Sequence, residues 1–235
     1  MKIKYTIGAV LVLAILALTG CQTKDGNTIN VSGQSELLAK PDEAEVWAGI
    51  SIVKDTADEA QNEANKVIND IVDGLKAKGI NEKDIQTESL NLYEERTWTE
   101  NEGSKLEGWR ATQTLKVKTT DLSKVGDIVD AAVDNGANQI QNINFQLSDA
   151  KEAEYREQAI TKATQDAKSK AETIARSLGV SLGKLKTVSE ANYYAQPYFY
   201  AMRAGDGSAA VAEAAKVMPK DVTVNANINL VYYVK

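Results

Sequence analysis

The sequence predicts an α+β domain: a mixed, largely antiparallel sheet packed by three helices, one of them long and alanine-rich. Three observations carry this. Apolar residues alternate with a period of two in several segments, as in strands buried on one face. They recur at three and four in three other segments, as on a helix face. The resulting order is strand, helix, strand, strand, helix, strand, helix, strand, strand. That order contains hairpins and does not repeat as βαβ, so the strands should run mostly antiparallel with the helices on one face.

In chain order, a leader comes first. Lys2 and Lys4 precede an unbroken apolar run from Ile7 to Leu18, and Leu18-Thr19-Gly20-Cys21 follows. A basic start, a short apolar stretch and small residues at a cut make a secretory signal peptide. The run is too short to span a bilayer, which needs about 20 apolar residues. Its last four residues resemble a lipobox, whose cysteine becomes the lipid-bearing first residue of the mature protein. The expected organisation is a signal peptide over 1–20, a flexible polar tether over 21–28 and one domain over 29–235. Cys21 would anchor the domain to a membrane, because two or more acyl chains hold stably where one does not.

The domain's elements follow. Ala44, Val46, Ala48, Ile50 and Ile52 mark a strand over 42–54. Thr56-Ala57-Asp58-Glu59 is a capping box opening a helix that carries Ile68, Ile71 and Leu75 and stops at Gly79. Strands over 85–97 and 110–119 flank a polar stretch, 100–108, which should be a hairpin loop. Asp121 caps a second helix, with Val125, Ile128 and Val129 on one face and Gly136 at its end. A strand over 139–147 leads to Asp149-Ala150-Lys151-Glu152, a second capping box. The helix it opens has a stripe that is mostly alanine and stops at Gly179. Strands over 184–195 and 221–234 close the fold, with an Ala- and Gly-rich loop over 201–216 between them. In the last strand Val222, Val224, Ala226, Ile228 and Leu230 share one face, and Asn225, Asn227 and Asn229 share the other. If that strand is an edge, it can pair with another subunit; if it is central, the asparagines are the wet side of a sheet. Lys78-Gly79-Ile80, Asn135-Gly136-Ala137 and Leu178-Gly179-Val180 repeat one grammar, which reads best as the usual glycine stop after a helix.

Several landmarks resemble one family in the same order. They include Val31-Ser32-Gly33 through Pro41-Asp42-Glu43-Ala44, then Lys78-Gly79-Ile80 with Asp84-Ile85-Gln86-Thr87. Next come Gly136-Ala137-Asn138 leading to Ile143-Asn144-Phe145-Gln146-Leu147-Ser148-Asp149, and Leu178-Gly179-Val180-Ser181-Leu182-Gly183. The alanine-rich stretch over 159–175 and the closing strand also fit. Together these resemble the SIMPL domain of periplasmic immunogenic antigens and a bacterial oxidative-stress defence protein. The resemblance implies an extracytoplasmic α+β domain with no established enzymatic activity and no catalytic motif to carry over. It also implies that some relatives form ring-like or channel-like oligomers. The lipobox departs from the free periplasmic relatives, and 193–219 has no tight match.

Composition narrows the chemistry. The chain has no histidine and one cysteine, Cys21. That closes Ser-His-Asp catalysis and His-ligated metal sites, and an acylated Cys21 leaves no thiol or disulfide. The formal charge is −6, and cleavage of Lys2 and Lys4 makes the chain more acidic, so it lacks the basic footprint of nucleic-acid binding. No cofactor and no metal is expected. The run Gly179–Lys184 is one residue short of a phosphate loop and follows a helix, so it is a helix stop and a turn. The acidic groups Asp42, Glu43, Glu45 and Asp127, Asp130, Asp134 read as solvated faces. Met202 and Met218 are too few to scavenge oxidant. Tyr193, Tyr194, Tyr198, Phe199 and Tyr200 cluster around Pro197 and form the candidate contact surface, with Trp47 and Trp98 as further interface candidates. The expectation is a non-catalytic, lipid-anchored envelope protein acting by oligomerisation or by binding an envelope partner. Any link to oxidative stress would be indirect. The alternative is a carboxylate-based enzyme acting on cell-wall sugars.

Overall fold

The computed structural model describes residues 26–100, 103–200 and 219–235, so Cys21, Met202 and Met218 lie outside the described residues. Strands β1 (Thr28–Ala39), β8 (Val222–Val234) and β6 (Leu182–Gln196) form one sheet in the order β1–β8–β6. Helix α3 (Asp149–Ser177) covers one of its faces. A second sheet has the order β3–β4–β2–β5–β7, from β2 (Glu43–Lys54), β3 (Ile85–Thr99), β4 (Gly103–Thr119), β5 (Gln139–Gln146) and β7 (Tyr198–Tyr200). Helices α1 (Ala57–Ala77) and α2 (Val125–Asp134) pack beneath it. Every described strand pair is antiparallel. The α+β class is as the sequence predicts. The pairing divides into two sheets, and β1 and β7 are additional to the expected order.

Proline marks three of the four places where the chain changes sheet. Pro41 separates β1 from β2, Pro197 separates β6 from β7, and Pro219 precedes β8. Proline has no N–H to give a ladder, so pairing stops there. At the first crossing the Asp42 N–H donates to the Gln146 carbonyl at 3.1 Å. The Asp42 carboxylate accepts from the Ser148 N–H at 2.8 Å and its hydroxyl at 2.9 Å. The crossing between β1 and β2 is thus tied to the crossing between β5 and α3.

The helix ends follow local chemistry. Thr56 Oγ1 accepts from the Glu59 N–H at 3.3 Å, and its hydroxyl donates to Glu59 Oε2 at 3.0 Å. All three stopping glycines have left-handed φ: +78° at Gly79, +100° at Gly136 and +69° at Gly179. Each is followed by the same closing bond, Ile80 N–H to Leu75 O, Ala137 N–H to Ala132 O and Val180 N–H to Ala175 O. That is the Schellman pattern, which satisfies carbonyls a helix end would otherwise leave bare.

Three local expectations are corrected. The N-cap of α3 is Ser148, not Asp149, and its hydroxyl is spent on Asp42. Asp121 caps the short 3₁₀ turn Leu122–Lys124 that leads into α2, by accepting from the Ser123 N–H at 3.1 Å. The expected loop over 100–108 is largely strand, because β4 starts at Gly103 and pairs with β3 from Thr99 onward. A ribbon wet on both faces needs no apolar alternation, so its polar residues hid the pairing.

Candidate contact surfaces

The five aromatic residues straddle Pro197 and therefore fall in two sheets. Tyr193 and Tyr194 belong to β6, and Tyr198, Phe199 and Tyr200 form β7. Alternation along each strand then separates neighbours. Tyr193 is half-buried against the α3 layer, with the Arg156 guanidinium 4.8 Å from its ring centroid and its hydroxyl 3.4 Å from the Glu152 carbonyl. Burial raises its phenol pKa above the ordinary value. Tyr194 points to the other side and is exposed. Tyr198 packs against the core of the five-stranded sheet, and Phe199 is 55% exposed. Tyr200 pairs with Ile143. Tyr194 and Phe199 are thus the exposed members, on different sheets, and Tyr193 and Tyr198 are packing residues.

The asparagine face is resolved by topology. Strand β8 lies between β1 and β6, so Asn225, Asn227 and Asn229 are the open side of a central strand and not an edge. The edge-strand reading is overturned. Cross-strand register sets Asn229 between Ser32 and Ser189, Asn227 between Gln34 and Asn192, and Asn225 between Glu36 and Tyr194.

The first acidic group is not a solvated face. Glu43 and Glu45 point away from the helices, yet both are buried, at 6% and 9% exposure. Lys118 on β4 lies 3.0 Å from Glu43 Oε1 and 3.7 Å from Glu45 Oε1. The Gln146 amide on β5 donates to Glu43 at 2.8 Å and accepts from Asn144 at 2.7 Å. Asn144 Oδ1 stays buried without a partner among the described residues. The Glu43 contact, above the weaker pull of Glu45 and Asp149, raises the Lys118 ammonium pKa. A buried charge needs a partner, and this set supplies one across three strands. It clamps the ends of β2, β4 and β5. Sequence reading listed the two glutamates but missed Lys118, Gln146 and Asn144, since burial on the second face of a sheet leaves no periodic trace. Asp127, Asp130 and Asp134 are exposed on α2, as expected. No group of three metal-ligating side chains occurs among the described residues.

Edge strands β1 and β3 are treated differently. Along β1, α3 supplies the missing partners. Asp166 accepts from the Gln34 N–H at 2.9 Å, and Lys170 donates to the Ser32 carbonyl at 3.1 Å. Asp166 and Lys170 pair with each other at 2.6 Å. The Lys170 contact and then the Gln34 N–H hold the Asp166 carboxyl below its ordinary pKa. Among the described residues, edge β3 has no such cover along Leu90 and Leu92, which are 53% and 38% exposed. Both lie on the helix-facing side, opposite Gln113 and Ala111. Beyond Gly108 the β3–β4 hairpin leaves β2 and continues as a two-stranded ribbon. Trp98 and Leu106 are exposed diagonal neighbours there, at 71% and 43%. Trp47, by contrast, is half-buried, opposite Lys116 and Asn142.

The family described as SIMPL, protein of unknown function (DUF541), matches residues 29–232. The 26 kDa periplasmic immunogenic protein of Brucella melitensis is 28% identical over 217 residues, covering 88% of this chain and 84% of that protein. Protein YggE of Edwardsiella ictaluri is 28% identical over 187 residues, covering 75% and 77%. YggE of Escherichia coli K12 is 27% identical over 207 residues, covering 87% and 83%. With a match spanning nearly all of the described fold, the chain belongs to the SIMPL family.

Proposed function

We propose that the protein is a non-catalytic envelope component, anchored through acylated Cys21 on the outer side of a bacterial membrane, that acts by self-assembly or by binding an envelope partner. The observation that carries this reading is the open edge of β3, with exposed Leu90 and Leu92, continued by the ribbon that presents Trp98 and Leu106. An uncovered apolar edge offers backbone groups and side chains to a second strand at once. The extracytoplasmic placement is supported by the leader and by the periplasmic names of the Brucella relatives. A role in oxidative-stress tolerance would follow indirectly from envelope integrity. Against the wall-sugar hydrolase alternative, both buried glutamates of the second sheet are engaged by one lysine, Lys118.

Light scattering tests the reading on the lipidated protein in detergent and on the chain from Gln22 onward. A discrete assembly that Leu92→Lys dissolves is the expected result. A monomer in both preparations, together with no co-purifying envelope protein after crosslinking in cells, would overturn it. So would turnover of a wall glycan that is abolished by a single carboxylate substitution.

A further inference from the structure

Around Asn225 and Asn227, the open face of the three-stranded sheet is built mostly from uncharged groups that both donate and accept. Gln34, Asn227 and Asn192 form one row across β1, β8 and β6, and Glu36, Asn225 and Tyr194 form the next. Only Glu36 among them carries a formal charge, in a chain whose residues are 26% charged. Gln34, Glu36 and Asn192 are exposed, and Tyr194 is 57% exposed. Asn227 accepts from the Ser32 hydroxyl at 2.8 Å. The side-chain amides of Gln34, Asn192 and Asn225 have no hydrogen-bond partner among the described residues. The two rows bound an open depression of about 340 Å³. That is within the usual size of a small-ligand site, roughly 300–1,000 Å³.

We infer that this face binds an uncharged, polyhydroxylated chain: a neutral glycan. The inference rests on the reading that the domain works by binding in the envelope, and it names the chemistry of one partner. Sugar hydroxyls donate and accept, as do primary amides, so the two surfaces satisfy each other without stripping water from a charge. Leaving a buried polar group unpaired is what costs binding energy, and here both sides can pair. Tyr194 adds an exposed ring with an apolar face on which a pyranose can lie. The sheet supplies a regular grid, with strands about 4.8 Å apart and same-face residues about 6.8 Å apart along each strand. An extended chain of repeating units suits such a grid. A protein partner would favour an apolar, aromatic- and Arg-rich centre, which these rows lack. An anionic polymer would meet Glu36 on a chain of net charge −6.

The test is calorimetric titration of the full lipidated protein, held in a detergent without a sugar headgroup, with chitohexaose and with maltohexaose. The expected result is saturable binding of at least one of them. Tyr194→Ala and Asn225→Asp should each weaken it by at least about tenfold, equivalent to about 1.4 kcal/mol. The unfolding midpoint of both variants should stay within error of the parent. Leu92→Lys should leave glycan binding unchanged, which separates this face from the β3 edge. Absence of saturable binding with both oligosaccharides overturns the proposal, as does binding indifferent to both variants. A fall in solution mass caused by Tyr194→Ala would assign the face to a second copy of the chain, and would also overturn it. The binding results leave assembly through β3 untouched, and only a mass loss with Tyr194→Ala would move assembly to this face.

Discussion

Beneath the five-stranded sheet, Ile68, Ile71, Leu75, Ile128 and Val129 meet Val46, Val117, Ile143 and Phe145. Beneath the three-stranded sheet, Ala159, Ala163, Ala167, Ala171 and Ala175 meet Val31, Val224, Ile228 and Leu230 with single methyl groups. Both sets cover one face of an antiparallel sheet, but with side chains of different length. Long side chains, with Ala60 and Ala64 among them, fill the space between α1, α2 and their strands. The alanine row, spaced at four, brings the backbone of α3 down onto β1, and Gly33 completes the approach. A Cβ at Gly33 would overlap the Ala163 carbonyl and the Ala167 amide. Close approach has a second effect. It puts Asp166 and Lys170 within reach of the β1 backbone, so the small-residue layer seals its own edge. Among the described residues, the aliphatic layer gives the β3 edge no such side-chain cover.

The sharpest way to break the comparison is to substitute each core against its own logic. Phe145→Ala removes a side chain 1% exposed, from the aliphatic core, and should cost about 4 kcal/mol, through lost burial and the cavity left behind. The alanine layer has little to truncate, so its weakness is the opposite change. Ala167→Leu and Gly33→Ala should each cost up to about 3 kcal/mol by forcing α3 off β1. Urea unfolding midpoints measure all three. If Ala167→Leu were neutral, the idea of a layer held by closeness would be wrong.

These cores also show what the sequence could and could not reveal. The stripes on α1, α2 and α3, the three glycine stops and the alternation of β8 are local, and each is legible from spacing alone. Periodicity says that Val224 and Val46 face a core. It does not say that they face different cores, because that depends on pairing between distant segments. The division at Pro41 and Pro197 was hidden for the same reason, and with it the separation of Tyr193 and Tyr194 from Tyr198 and Phe199. Glu43 and Glu45 sit at strand positions that ordinarily face water. Only the register of β4 and β5 reveals Lys118 and Gln146 beside them. Of the candidate site residues, Cys21 lies outside the described residues, and the aromatic segment divides between two sheets, a split that no local pattern reveals.

The sealed edge gives a smaller, pH-dependent prediction. The Asp166 carboxyl has a folded pKa below its unfolded value. A group depressed on folding contributes stability that is complete above its unfolded pKa, about 3.9 for aspartate, and is lost as pH falls through the folded value. Hydrogen exchange at the Gln34 amide should therefore be slow near neutrality and quicken, relative to its neighbours in β1, as the solution is acidified through that window. Asp166→Ala should give the fast rate at every pH. A Gln34 amide equally protected in both proteins would show that β8, and not the side-chain plug, guards that position.

The open edge gives the smallest change in stability and the clearest change in behaviour. Leu92 is already 38% exposed, so Leu92→Lys should shift the unfolding free energy by no more than about 0.5 kcal/mol. A lysine on an edge strand opposes strand addition, because a pairing strand must desolvate the ammonium. The mass of any assembly should then fall while the fold is kept. The matching change on the sealed side is Lys170→Ala, which uncovers the Ser32 carbonyl. If the two edges differ only in their cover, Lys170→Ala should raise association as Leu92→Lys lowers it. If Lys170→Ala leaves the mass unchanged, the apolar side chains of β3, and not its free backbone groups, make that edge adhesive.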